Sequence, residues 1–145
     1  MTKRTRRVLG LTVVLISLLV LGAGCGSSSP SSAEPALDGT SWTLTSWAEP
    51  DPIPESASIT AEFADGRVAG TSGVNRYNAA VTSGTDGSFA IDAPISTKMA
   101  GPEDAMAAER SYLQRLQAAT SYRVDGDTLV INDADGQPSL TFTRA

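Results

Sequence analysis

The chain has 145 residues, enough for one domain of ordinary size, with 11 Lys and Arg against 16 Asp and Glu, no histidine and one cysteine. The acidic balance argues against a nucleic-acid partner, whose phosphates need a basic patch. The lack of histidine removes Ser-His-Asp and Cys-His catalysis and histidine-based metal sites, and a lone thiol excludes an intramolecular disulfide.

Lys3, Arg4, Arg6 and Arg7 form a positive start, Val8 to Leu21 is an almost unbroken apolar run, and Gly22-Ala23-Gly24 precedes Cys25. This is the layout of a secretory signal over residues 1–24. The alternative, a permanent membrane span, needs about 20 apolar residues, more than the run supplies. Small residues before a lone cysteine, followed by Gly26-Ser27-Ser28-Ser29, resemble a bacterial lipobox, in which the thiol is acylated and becomes the mature N-terminus. One departure is that Gly22 stands where a lipobox usually has leucine, with Leu21 one place further back. Cys25 is thus the expected lipidation site and a membrane the expected partner, since two or more acyl chains anchor stably. Without residues 1–24 the chain keeps sixteen acidic and seven basic residues, a charge of about −9.

Residues 25–36 are rich in Ser and Pro and read as a linker after the lipidated cysteine. The domain is expected over 37–145. Asp38-Gly39 is a turn, and Thr40 to Trp47 alternates as a strand with Trp42 and Leu44 on the core face. Pro50, Pro52 and Pro54 exclude a central strand over Glu49 to Glu55. Ile59, Ala61 and Phe63 then lead through Asp65-Gly66 to Val68, a strong hairpin signal. Arg76 to Val81 and Ser88 to Ile91 read as strands, and Ile95 to Met99 as a short strand or extended crossing. Pro102 suits a helix's first position, with Glu103 and Asp104 at the positive end of its dipole. Ala105, Met106, Leu113, Leu116 and Thr120 mark the apolar stripe of a helix over about 102–119, with Tyr112 at its margin. Ser121 to Val124, Thr128 to Asn132 and Ser139 to Thr143 close the chain as strands joined by Asp-Gly turns. The fold class is α+β: an antiparallel meander or partly closed barrel of about eight short strands with one helix.

No nucleophile motif is present, and nothing points to a cofactor. Ser96 and Lys98 share a face if extended, but a catalytic Ser-Lys pair needs that lysine buried with its pKa depressed. Asp133-x-Asp135-Gly136 falls short of a calcium loop because Ile131 occupies the earlier ligand place, so it reads as a hairpin turn. Glu109 lies at the centre of the Met106, Leu113 and Leu116 stripe, either buried or at the rim. If buried it needs a partner, for which Arg76 and Lys98 are the candidates. Asn75, Arg76, Tyr77 and Lys98, with Glu109, are the candidates that either lock the Gly73 to Tyr77 corner or bind a ligand, and Asn75, Arg76 and Lys98 are expected exposed near it.

Taken in order, Leu37-x-Gly39-Thr40-x-Trp42-x-Leu44, Phe63-x-x-Gly66-Arg67-Val68-x-Gly70, Gly73-x-Asn75-Arg76-Tyr77, Thr97-Lys98-Met99-Ala100, Glu109-x-x-Tyr112-Leu113-x-x-Leu116 and Tyr122-x-Val124-x-Gly126-x-x-Leu129 resemble the META domain, the HslJ-like family of small bacterial envelope proteins. The resemblance implies an antiparallel β fold with one helix and an association with the envelope and stress responses. It implies no common catalytic residues. The family usually carries two cysteines, thought to form a disulfide, where this chain has Val74 and Gly101. Their joint replacement implies that the two positions are neighbours. The expected role is that of a lipid-anchored, extracytoplasmic, non-catalytic module that contacts an envelope protein or cell-wall polymer. The alternative is an envelope hydrolase using Glu109 with a second carboxylate, or Ser96 with Lys98.

Overall fold

The computed structural model describes residues 36–48 and 52–145, so the signal segment, Cys25 and most of the linker lie outside the described residues. Its elements are β1 (Thr40–Trp47), β2 (Ser58–Ala64), β3 (Arg67–Gly73), β4 (Arg76–Ser83), β5 (Phe89–Ile91), β6 (Ile95–Ser96), α1 (Glu103–Gln117), β7 (Ser121–Asp125), β8 (Thr128–Asn132) and β9 (Pro138–Arg144). Period-two burial follows from the alternating sequence. Trp42 and Leu44 in β1, Ile59, Ala61 and Phe63 in β2, and Leu140 and Phe142 in β9 all point inward.

Eight strands form one antiparallel wall in the order β5-β4-β3-β2-β1-β9-β8-β7, and β6 adds to β4 beside β5. The two ends of the wall meet. Phe89 N–H donates to Thr120 O at 3.0 Å and Tyr122 N–H to Gly87 O at 2.8 Å, which closes most of the ring between β5 and β7. Edge-to-face rings reinforce this seam, with Phe89 6.3 Å from Phe63 and 6.4 Å from Tyr122 between centroids. The α+β, partly closed barrel expected from the pattern is therefore the fold. The Asp65-Gly66 turn has φ of 52° and 67° at its two central residues, the mirror-image turn whose twist suits a two-residue hairpin.

Helix α1 packs against β3, β5 and β9, which are spread around the ring, so it lies across the barrel instead of along one strand pair. Its limits and facing differ from the sequence reading. Pro102 precedes the helix, with φ −52° and ψ 143°, and is not its first residue. The buried face is Ala105, Ala108, Glu109, Tyr112 and Leu116, while Met106 and Leu113 are half-buried and Thr120 is exposed beyond the helix end. Tyr112, placed at the margin by bulk hydrophobicity, is fully buried. The physical reason is close approach. A side chain at Gly73 would begin 3.0 Å from Ala105 O, so the small Ala108, outside the expected stripe, joins Ala105 on the face towards the strand.

The β2–β3 ladder is open at its centre. Ile59 pairs with Ser72 and Glu62 with Ala69, and in between Thr71 N–H donates to the Thr60 hydroxyl at 3.1 Å. The freed Thr60 carbonyl accepts the Tyr77 hydroxyl at 3.0 Å. This arrangement requires glycine at 70, because a Cβ there would lie 2.1 Å from Thr60 O. Gly70→Ala is expected to cost about 1–3 kcal/mol through forced backbone shifts. Urea unfolding would measure it, and wild-type stability would show that the strands can separate freely at this point.

Candidate functional site

The sequence of the β3–β4 corner, Ser72-Gly73-Val74-Asn75, contains small and polar residues where a hairpin would ordinarily carry a plain turn. Gly73 adopts φ 122°, a conformation that L side chains rarely reach, and this turns the corner towards the helix. The target is Glu109, 9% exposed in the middle of α1. Its Oε2 accepts the Asn75 backbone N–H at 2.8 Å and the Ser72 hydroxyl at 2.9 Å, and its Oε1 accepts the Asn75 side-chain amide at 3.0 Å. Asn75 O lies as close to the Ser72 hydroxyl, and the charged carboxylate is the stronger of the two acceptors for its proton.

All of these donors are neutral. Arg76 and Lys98, the partners expected for a buried Glu109, do not serve, and the ion pair found among the described residues is Arg144 with Asp127. Burial pushes the Glu109 carboxyl up. The Asn75 N–H, the Asn75 amide, the Ser72 hydroxyl and the Val74 N–H together outweigh that effect and hold it below the usual carboxylate range. The corner is thus a nest of N–H groups closed on an anion supplied by the protein itself.

Asn75, expected at the surface, is 3% exposed and uses its whole amide. Its Oδ1 accepts the Thr97 hydroxyl at 2.8 Å and Met99 N–H at 2.7 Å, while its Nδ2 donates to Met99 O at 3.2 Å as well as to Glu109. It therefore stands in for one more rung of the β4–β6 ladder. Tyr77 is also buried, and its hydroxyl lies 2.6 Å from that of Tyr112. Because Tyr77 donates to the Thr60 carbonyl, Tyr112 is the donor between the two phenols. Burial raises both phenol pKa values, so both stay protonated. Glu109 and Tyr112, one turn apart, tie the helix to β3 and β4.

Arg76 and Lys98 are exposed, as expected. The exposure of Lys98 removes the burial on which a Ser96–Lys98 pair would depend. Arg76 lines an open surface cleft of about 540 Å³ with Thr60, Glu62, Gly70, Thr71 and Asn78, above the opened ladder. Sequence reasoning missed this cleft, which depends on a backbone gap. Among the described residues no three carboxylates or other metal-ligating side chains converge on a point. Asp133 serves its turn, its Oδ1 accepting the N–H groups of Asp135 and Gln137 at 3.0 and 2.9 Å.

The sequence profile of the META domain matches residues 35–145. The chain belongs to the META domain family. Among solved structures, a protein from Burkholderia xenovorans determined by NMR is similar at 27% identity and TM-score 0.63, covering 75% of this chain and 83% of that one. A crystal structure from Bacteroides vulgatus is similar at 14% identity and TM-score 0.54, covering 74% of this chain and 93% of that one, which shows a shared fold alone. No curated protein matches the chain. None of these matches names a reaction.

The positions implied to be neighbours by this META domain's missing cysteines do touch. A Cβ built on Gly101 would lie 3.3 Å from Val74 Cβ and 2.6 Å from one of its methyls. The valine methyls fill the space a second side chain would need.

Two predictions follow from this geometry. Glu109→Gln places an amide N–H group among donors and is expected to cost about 2–3 kcal/mol. The lowered folded-state pKa also fixes a sign. The Glu109 contribution is complete above the unfolded carboxyl value of about 4.3 and is lost as pH falls through the lower folded value. Wild type should therefore lose more melting temperature than Glu109→Gln between neutral and acid pH, and parallel curves would refute the anionic clamp. Secondly, Val74→Cys with Gly101→Cys would start with Cβ atoms 3.3 Å apart, a little short of the about 3.5–4.5 Å of disulfides, so the pair should oxidise after a small outward shift and add about 2–4 kcal/mol. Thiol titration of the double variant and melting with and without reductant check it.

Proposed function

We propose that this META-domain chain is a lipid-anchored, extracytoplasmic module of the bacterial cell envelope that binds or supports other components without catalysing a reaction. The observation that carries the non-catalytic reading is the saturation of Glu109. A general acid or nucleophilic carboxylate needs an oxygen open to substrate, and both oxygens here are engaged by Ser72 and Asn75 inside the fold. Lys98 projects into solvent, which leaves Ser96 without an activating base. Both observations weigh against the hydrolase alternative.

The anchoring reading is supported by Lys3 to Arg7, the apolar run from Val8, and Cys25 after three small residues. Binding is assigned to the outer surface next to the corner, where the Arg76 guanidinium borders the cleft over Thr60 and Gly70. A corner whose polar groups bond one another, as those of Ser72, Asn75 and Glu109 do, can present such a surface at little ordering cost. An association with stress responses belongs to the same reading of the family.

Cys25→Ala is expected to abolish incorporation of radioactive palmitate and to leave a precursor that still carries residues 1–24. Palmitate labelling that persists in this variant, or wild-type protein released without label, would overturn the anchor.

A further inference from the structure

We propose that the ridge formed by β6 and the residues after it, Ile95 to Met99, rests on the bilayer surface with the Arg76 cleft beside it, taking the phosphate groups of lipid headgroups. The inference rests on the lipid anchor at Cys25 and adds to it an orientation and a lipid contact.

Ile95 and Met99 are the exposed large hydrophobic side chains among the described residues, at 70% and 57%. They lie on one short segment. Ile95 is opposite Asn78 and Ser96 opposite the inward-facing Tyr77, so Ile95 shares the outer face with Asn78. Thr97 N–H donates to Arg76 O at 3.0 Å and the Thr97 hydroxyl accepts Arg76 N–H at 3.2 Å, which puts Arg76 next in line. Met99 is gripped through both its backbone groups by the Asn75 amide, so an apolar side chain is held outward on a rigid support.

Two cations sit at the same place. The chain beyond residue 24 has seven basic residues against sixteen acidic ones, and two of the seven, Arg76 and Lys98, sit on this ridge. Neither side chain bonds to another described residue. Glu62 in the cleft and Asp92 and Glu103 at the two ends of the segment bound the patch. Cations next to apolar side chains are the chemistry that a headgroup–acyl boundary accepts, the apolar side chains entering the boundary and the cations meeting the phosphates.

Reach permits the contact. Leu37 lies beside Gly66 and Val81, at the end of β4 away from Asn75. The stretch from Cys25 to Ala36 can span up to about 40 Å, and the 8 residues of β4 about 27 Å. Tethering also raises the effective concentration of bilayer to a level at which a weak contact is occupied.

The test uses the full-length lipidated protein in vesicles of mixed zwitterionic and anionic phospholipid. With Cys25 acylated, Met99→Cys supplies a single thiol for an environment-sensitive fluorophore. Thr143→Cys, exposed on β9 across the ring from β4, is the reference. The expected result is blue-shifted emission at 99 that is quenched by a lipid-borne quencher, no change at 143, and loss of the signal at 99 in an Arg76→Glu, Lys98→Glu background that still floats with the vesicles. Equal signals at 99 and 143 in floating protein would overturn the orientation while leaving the anchor standing. A shielded but unquenched probe at 99 would assign the ridge to a protein contact, such as a second copy, and would also overturn it. Wild-type protein that does not float removes the anchor and this inference together.

Discussion

A buried carboxylate, Glu109, fastens the helix to the β3–β4 corner, and it does so without a cation. A buried charge without compensation costs several kcal/mol, and the usual remedy is a lysine or arginine. Here the compensation comes from N–H and O–H dipoles at the β3–β4 corner, which can form only because Gly73 takes up a positive φ. The acid, the corner conformation and the approach of α1 to β3 are therefore one interaction seen from three sides. Asn75 extends it to a fourth element by bonding Met99 and Thr97, so the crossing from β6 to the helix is fixed by the same group of atoms.

The second organising constraint is the opened β2–β3 ladder. The Thr60 carbonyl, released from its strand partner, receives the Tyr77 hydroxyl, which in turn receives that of Tyr112. A polar chain thus runs from the barrel wall to the helix through an interior made otherwise of Trp42, Phe63, Leu129, Ile131, Leu140 and Phe142. Buried hydroxyls that are fully bonded specify one packing where apolar contacts alone would accept several. On the outside, the same gap leaves the shallow cleft beside Arg76.

The strands were legible because their signals are local. Alternation fixed the inward faces of Trp42, Leu44, Ile59, Ala61 and Phe63, and Asp65-Gly66 announced its turn by chemistry that only a few residues supply. The position of Glu109 on the helix face was legible from period alone, and burial was among the readings it allowed. Its partners were not. Charge complementarity favoured Arg76 and Lys98, whereas the structure uses backbone N–H groups, which every residue carries and no sequence pattern distinguishes. The helix facing was misjudged for a related reason. Ala105, expected on the stripe, is buried, but Ala108 escapes notice because alanine is a weak marker of burial by bulk. Small residues are nonetheless what a strand passing at van der Waals distance demands.

The Val74–Gly101 contact has a consequence for how the chain matures. A disulfide between these two positions, which the family resemblance implies for relatives, would need an oxidant to form, and its cysteines could pair wrongly on the way. In this chain a valine packed over a glycine makes the junction from shape alone. The folded domain contains no thiol, so its assembly is indifferent to the redox state of the compartment in which it folds. Cys25, the one thiol of the sequence, has no second cysteine there to capture it in an intramolecular disulfide.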